Sequence, residues 1–272
     1  MVLPNPLHIL SAKNQSVLDC LQDLLPGMLD AAQLLEDGGV WFGKKLMQDP
    51  SFELESGQAL RVFWDESPGA RYAITQDQVI FEDDNLLAVF KPNGVVVGPT
   101  HISLFNNLSY GVGQYLGEGY SPPPITRLDK LVSGLVLYPK NKAIEKGLFR
   151  LTRDRKIQKW YVATIWDKPG LPQYKRVKTS LDFGQRAFES ETGKPAHSLF
   201  IRRSGNGTEA EYSVFIFTGR RHQIRVHAAK HLAPIWGDRP YGGRRWDGDG
   251  IALRCAGYNF TLAGKRYRIR IT

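Results

Sequence analysis

A succession of short strand-like runs, broken by Gly, Pro, Asp and Asn, most narrows what this chain can fold into. VIFEDDNLLAVFK turns at Asp83-Asp84-Asn85, residues 135–138 form an unbroken apolar run, and KIQKWYVATIW alternates. SLFIRR and EAEYSVFIFTG flank Ser204-Gly205-Asn206-Gly207, and IALRCAGYNFTLAGKRYRIRIT reads as a pair around Ala263-Gly264. Runs this short, separated by turn residues, pair with their neighbours as hairpins. Helical patterns are fewer: 104–116, a basic stretch capped by Asn141 and running to 153, and HQIRVHAAKHL, which ends at Pro234. Many strands and few helices give an α+β class built on a mostly antiparallel sheet with flanking helices. No repeat of 20–50 residues is present.

The first part of the chain has a different character. Ser16 is placed to cap a helix through Leu18, Leu21, Leu24 and Leu25, ended by Pro26-Gly27. A second helix is expected from 28 to 36, with Leu29, Ala32 and Leu35 inward, stopped by Gly38-Gly39. GVWFG and ESGQALRVFW follow as strands. We expect a small domain at 1–70, a linker at 65–77 and a larger domain at 71–272. Charge follows the same division. The chain carries +9, but residues 1–70 hold four basic and ten acidic side chains, a net −6, which leaves +15 on the remainder. A basic body points to a polyanionic partner, nucleic acid first; solubility alone is the competing explanation.

No run of about 18 apolar residues exists to span a membrane, and MVLPNPLHIL lacks the basic start and long apolar core of a secretory signal. The two cysteines, Cys20 and Cys255, are far apart and outside any CxxC. Reduced thiols and a cytoplasmic location are expected.

The most informative acidic residue is Asp129, in PITRLDKLVSGLVLYPKN at 124–141. It lies between Arg127 and Lys130, after a Pro122-Pro123-Pro124 brake and just before the apolar run. A carboxylate on a loop at the mouth of a strand is well seated for catalysis. Flanking cations keep a carboxylate ionised, which suits a nucleophile or a base and not a general acid. A structural ion pair fastening the loop explains the same triplet.

TRLDKLVSGLVLYPKN resembles the active-site loop of the RluA-type pseudouridine synthases, where Arg-Leu-Asp precedes Ser-Gly and an apolar strand. TGRRHQIRVHAAKHLAPIWGDRPYGG at 218–243 and KWYVA at 159–163 are similar to two further signatures of that family, in the same order. The resemblance implies a pseudouridine synthase sheet, mostly antiparallel but mixed, preceded by a small helix-helix-strand N-terminal domain. It also implies that uridine within RNA, ribosomal or transfer, is isomerised to pseudouridine without cofactor. Asp129, Tyr161 and Arg225 are then the catalytic candidates, Arg225 pairing with Asp129 and Tyr161 lying against the base and helping to remove the proton from C5. Arg127, Ile224, Arg220, His222 and Lys91 are the candidates for binding substrate, Arg127 by filling the space a turned-out base leaves. From the residues alone, Tyr161 is equally a packing residue of its strand, Lys91 a solvated strand-end lysine, and Arg127 a second salt-bridge arm.

Three departures mark a divergent branch. Thr126 stands where the family has His, Val132 where it has Thr, and Leu253-Arg254-Cys255-Ala256 where it often has Leu-His-Ala. The N-terminal domain resembles the small RNA-binding module of ribosomal-protein type, except that its second helix carries Glu36 and Asp37 in place of basic residues. A docking role is the alternative. His227 and His231 have a spacing that can bind zinc, but no HExxH or acidic third ligand accompanies them. A helix-packing pair is the better reading, and no metal is expected. A monomer acting on RNA is expected, with a catalytically silent RNA-binding or ribosome-assembly factor as the alternative.

Overall fold

The computed structural model describes residues 6–25, 30–64, 67, 69–117 and 120–271. It divides into two compact units, Met1–Ala73 with Gly98–Tyr115, and Ile74–Val97 with Leu116–Thr272. No helix among the described residues is long and apolar enough to cross a membrane.

The first unit opens with a strand, β1 (Leu7–Leu10), which the sequence pattern did not reveal. It continues through β2 (Gln15–Ser16), α1 (Val17–Leu24), α2 (Ala31–Asp37), β3 (Val40–Phe42), β4 (Lys45–Leu46), β5 (Glu53–Leu54) and β6 (Ala59–Val62). Four strands form one sheet in the order β1-β6-β3-β4, and β2 pairs with β5. The Ser16 hydroxyl accepts from the Asp19 amide at 3.1 Å, capping α1 as expected. The expected stop at Pro26-Gly27 and the helix start at Met28-Leu29 lie outside the described residues, as do Asp65, Glu66 and Pro68 of the expected linker; α2 is instead capped by Asp30. Val17, Leu21, Leu34, Leu35, Leu60 and Val62 fill the core.

Asp37, which the sequence reading set against RNA binding, is buried and serves the unit internally. Its carboxylate accepts from Gln33 Nε2 at 3.0 Å and from the Gly69 amide at 2.7 Å. The Asp37 carbonyl accepts from the Leu104 amide at 2.7 Å. That contact ties segment 98–115, with most of α3 (Leu108–Leu116), to the first unit, although the sequence reading assigned everything after residue 70 to the second.

The second unit contains β7 (Val79–Glu82), β8 (Leu86–Lys91), β9 (Ser133–Pro139), α4 (Lys142–Arg153), β10 (Gln158–Trp166), β11 (Tyr174–Phe183), β12 (Ala187–Glu189), β13 (Lys194–Gly205), β14 (Glu209–Ile216), α5 (Gln223–His231), β15 (Leu253–Leu262) and β16 (Lys265–Arg270). Ten strands make one sheet in the order β12-β11-β13-β14-β10-β15-β9-β8-β7, with β16 also on β15. The neighbours are antiparallel except β9 and β15, which run parallel where Arg254 faces Ser133 and Cys255 faces Gly134. The sheet is therefore mixed but mostly antiparallel, as the sequence indicates. Asn141 caps α4 by accepting from the Ile144 amide at 3.0 Å. Segment 167–197, expected as a polar mobile loop, is mostly strand: Val177, Leu181, Ala187 and Ala196 turn inward while its lysines and arginines face out.

The apolar run of β9 is buried through its length, with Leu135, Val136, Leu137 and Tyr138 all inaccessible. Gly134 sits where the parallel seam begins. Its φ is +114°, and a Cβ there would overlap the Cys255 backbone. Both conditions demand glycine. We expect Gly134→Ala to cost more than about 3 kcal/mol, because it combines a strained φ with overpacking at a seam that cannot shift. Urea denaturation measures this; a loss under about 1 kcal/mol would show that β9 and β15 can separate without penalty.

Candidate active site

Asp129 lies in the turn that feeds β9. The turn is closed by the Val132 amide donating to the Asp129 carbonyl at 3.0 Å, and Val132 is buried. The neighbouring carbonyls are held from two sides. Lys130 O accepts from the Gly94 amide at 2.9 Å, and Leu131 O accepts from the Ile251 amide at 3.1 Å.

Lys91 completes this support from within. It is fully buried, and its amine donates to the carbonyls of Pro92 and Val95 at 2.7 Å and of Lys130 at 3.1 Å. This corrects both sequence readings of Lys91. With its three protons used on backbone carbonyls it is neither a phosphate contact nor a solvated strand end. Burial pushes its pKa down to about 7, against the opposing pull of Asp129.

Arg225 comes from the first turn of α5, a helix buried from Gln223 to Ala228. Its Nη1 donates to Asp129 Oδ2 at 3.0 Å. The other edge of the guanidinium meets Asp238 through Nε–Oδ2 and Nη2–Oδ1, both 2.8 Å. Asp238 is wholly inaccessible and Arg225 nearly so, while 29% of the Asp129 side chain is exposed. Burial works against the arginine's charge, but the Asp238 and then the Asp129 carboxylates outweigh it and leave the pKa above its ordinary value. Tyr241 lies under the guanidinium, 4.9 Å from ring centroid to Cζ.

The second contact to Asp129 Oδ2 is His222 Nε2, at 3.5 Å. Tyr241 donates its single proton to the Ala187 carbonyl at 3.0 Å, so the 2.8 Å contact between its oxygen and His222 Nδ1 is donated by the imidazole. His222 Nε2 then presents a lone pair to Asp129 unless the ring is charged. Burial moves the His222 pKa below its usual value, with Asp129 opposing and Arg225 and Arg221 reinforcing. Asp129 Oδ1 makes no hydrogen bond among the described residues.

Tyr161 is on β10, opposite Cys255 of β15, at a register shift between Trp160 and Tyr161. Only 7% of it is exposed. Burial raises its pKa well above 10, with Cys255 and then the Asp129 charge adding to the effect. Behind it runs a chain of polar groups. The Leu137 amide donates to Thr126 Oγ1 at 3.3 Å, Thr126 to the Tyr258 oxygen at 2.8 Å, and Tyr258 to the Leu135 carbonyl at 2.7 Å. Two departures noted in the sequence, Thr126 and Val132, thus both point inward and hold the loop.

Of the sequence-predicted residues, Asp129, Arg225 and His222 are in contact, and Lys91 and Tyr161 feel the Asp129 charge. Arg127 is exposed and makes no ion pair among the described residues. Arg220 donates to the Pro195 carbonyl at 3.0 Å, and Ile224 packs in the core. Asp238 and Tyr241 were missed, although both lie in the GDRPYGG stretch. The available signal was that a buried arginine fork fills two carboxylates more readily than one.

His227 and His231 are packing residues. His227 bonds Thr179 Oγ1 at 3.0 Å and Ser198 Oγ at 2.9 Å, and His231 bonds Glu189 at 2.6 Å. No cluster of three His, Cys, Asp or Glu among the described residues is placed to hold a metal ion.

The family model described as RNA pseudouridylate synthase matches residues 85–230. A ribosomal large subunit pseudouridine synthase C from Rickettsia conorii is 30% identical, over 74% of this chain and 69% of the relative. The Escherichia coli protein of the same name is 28% identical, over 88% of this chain and 82% of the relative. In fold, the chain is similar to human RNA pseudouridylate synthase domain containing 1, with a TM-score of 0.60, 18% identity, and coverage of 72% of this chain and 82% of that one.

Two outcomes follow from this geometry. Asp238→Asn removes one charge from a buried pair and should cost about 3 kcal/mol by urea denaturation; an unchanged midpoint would mean that Asp129 alone balances Arg225. Burial pushes His227 down to about 4. Its folded-state pKa lies below the ordinary 6.5, so the unfolded chain binds more protons as pH falls from 6.5 towards 4. Stability should decline through that window by up to about 3 kcal/mol on this residue's account. His227→Gln should flatten the decline, as read by unfolding midpoints at stepped pH.

Proposed function

Because the chain belongs to the RNA pseudouridylate synthase family, and is therefore an isomerase of uridine in RNA, we propose that its substrate is ribosomal RNA of the large subunit and that Asp129 performs the central step. The choice of RNA is supported by the Rickettsia conorii and Escherichia coli relatives, whose names specify that class.

The observation that carries the role of Asp129 is its one-sided tether. Arg225 donates to Oδ2, and His222 Nε2 lies 3.5 Å from the same oxygen, which leaves Oδ1 for substrate. In the isomerisation the bond between uracil N1 and the ribose breaks, the ring turns while held, and C5 bonds to the same ribose carbon. The C5 proton leaves and N1 gains one, so the sum is redox neutral. An ionised aspartate serves either as nucleophile at the sugar or as the base that takes a sugar proton. The Arg225 pair keeps the carboxylate oriented in both cases.

Tyr161 is read as the group that holds the uracil. Burial favours its neutral phenol, which suits packing against a base and disfavours a phenolate acting as the proton acceptor. Arg127, exposed beside Asp129, is read as the side chain that enters the stack when the uridine turns out. We also read the larger unit, Ile74–Val97 with Leu116–Thr272, as the catalytic domain, and the first unit as an auxiliary docking or RNA-contacting module.

Asp129→Asn is the test. It should leave RNA affinity and the unfolding midpoint nearly unchanged and lower pseudouridine formation by at least about 1000-fold, the scale expected when a nucleophile or general base is lost. Pseudouridine mapping of ribosomal RNA incubated with each protein reads the result. Full activity in the variant would remove Asp129 from the mechanism, and product only in transfer RNA would overturn the choice of substrate.

A further inference from the structure

A second feature of the larger unit has no part in the chemistry above. A cleft of about 310 Å³ opens where β11, β13 and the end of β14 meet, lined by Arg155, Lys178, Thr179, His197, Phe217 and Thr218 among others. Its volume is at the lower bound of small-ligand sites. The lining combines an exposed aromatic ring, two cations and hydroxyl groups, and includes no carboxylate. Phe217 is 47% exposed although it follows a core strand. Its ring stacks on His197, with centroids 4.5 Å apart and planes at 29°, and its amide donates to the His197 carbonyl at 3.0 Å. His197 Nε2 is buried and has no hydrogen-bond partner among the described residues.

The floor of the cleft is firmly fixed. The His197 amide donates to Thr218 Oγ1 at 2.9 Å, and Thr218 donates in turn to Gln223 Oε1 at 2.7 Å. Gln223 Nε2 donates to the His197 carbonyl at 3.0 Å and to Ser198 Oγ at 2.9 Å. Gln223 opens α5, two residues before Arg225. The cleft and the Asp129 pair thus hang from the same turn of helix.

We propose that this cleft binds one unpaired nucleotide of the substrate RNA, outside the target uridine. The base stacks on Phe217, and the phosphate lies between Arg155 and Lys178. An aromatic platform beside cations is the general chemistry by which proteins take single-stranded nucleic acid, and every base has a face to offer it. Double-helical RNA, its bases already stacked on one another, has none to give. The proposal rests on the reading that RNA is the substrate, and it adds to that reading a position that selects for strand character.

The experiment measures affinity of the full chain for a single-stranded RNA oligomer and for the same sequence in a duplex, at fixed salt. Phe217→Ala should weaken single-strand binding about tenfold and leave duplex binding within twofold. Phe217→Trp should restore it. Lys178→Ala should reduce the slope of log affinity against log salt by about one. Across an RNA titration, Phe217→Ala should raise KM and leave kcat unchanged. Equal affinity of wild type and Phe217→Ala for the single strand would overturn the proposal, as would an equal loss on the duplex or failure of tryptophan to restore binding. Binding is read without turnover. If the isomerase reading is at fault, no variant forms product, while the affinity pattern still decides the cleft.

Discussion

Everything at the candidate site depends on one buried cation. Arg225 is nearly inaccessible, and a guanidinium out of water is tolerable only with its donors and its charge matched. Asp238 matches one edge with two 2.8 Å bonds and holds the group still. The free Nη1 then presents a fixed donor to Asp129 at 3.0 Å. The two carboxylates have different duties. The inaccessible one sets where the arginine is, and the part-exposed one receives what the arginine has to give. Tyr241 joins the two arms, lying under the guanidinium and accepting the His222 proton.

The Asp129 turn is rigid for a related reason. It is held by the Lys91 ammonium and by backbone donors from Gly94 and Ile251, so no part of its register is left to solvent. A loop tied in this way loses little entropy when substrate arrives, since the ordering cost was met on folding. Lys91 shows how a charged side chain can serve as a backbone organiser: three carbonyls at hydrogen-bond distance give its ammonium the coordination that water would have given.

How far the sequence reveals all this varies with the range of the interaction. The strands of the larger unit are legible because turn residues separate them and because β9 is apolar without interruption. Asp129 and Arg225 are legible as a pair through their motifs. Asp238 was not, since nothing in GDRPYGG indicates which cation its carboxylate faces. Lys91 looked solvated because lysine usually is, and its carbonyl nest joins the turn at 92–95 to Lys130, far along the chain. Segment 167–197 looked like a loop because its outward lysines and arginines mask the inward Val177 and Leu181. Segment 98–115 belongs with the first unit through contacts such as Leu104 to Asp37, which no local pattern announces.

The parallel seam between β9 and β15 has a kinetic consequence. It joins residues 133–134 to 254–255, and β15 also lies between β9 and β10 in the sheet. During synthesis β9 can pair with β8 on one edge, but a ribosome that has delivered the Asp129 turn must still add some hundred and twenty residues before the partner of its other edge exists. Contacts so distant along the chain form slowly, and the unpaired edge of an apolar strand is exposed meanwhile. Emergence of the last two strands therefore gates competence, and this protein should depend on shielding by chaperones late in translation.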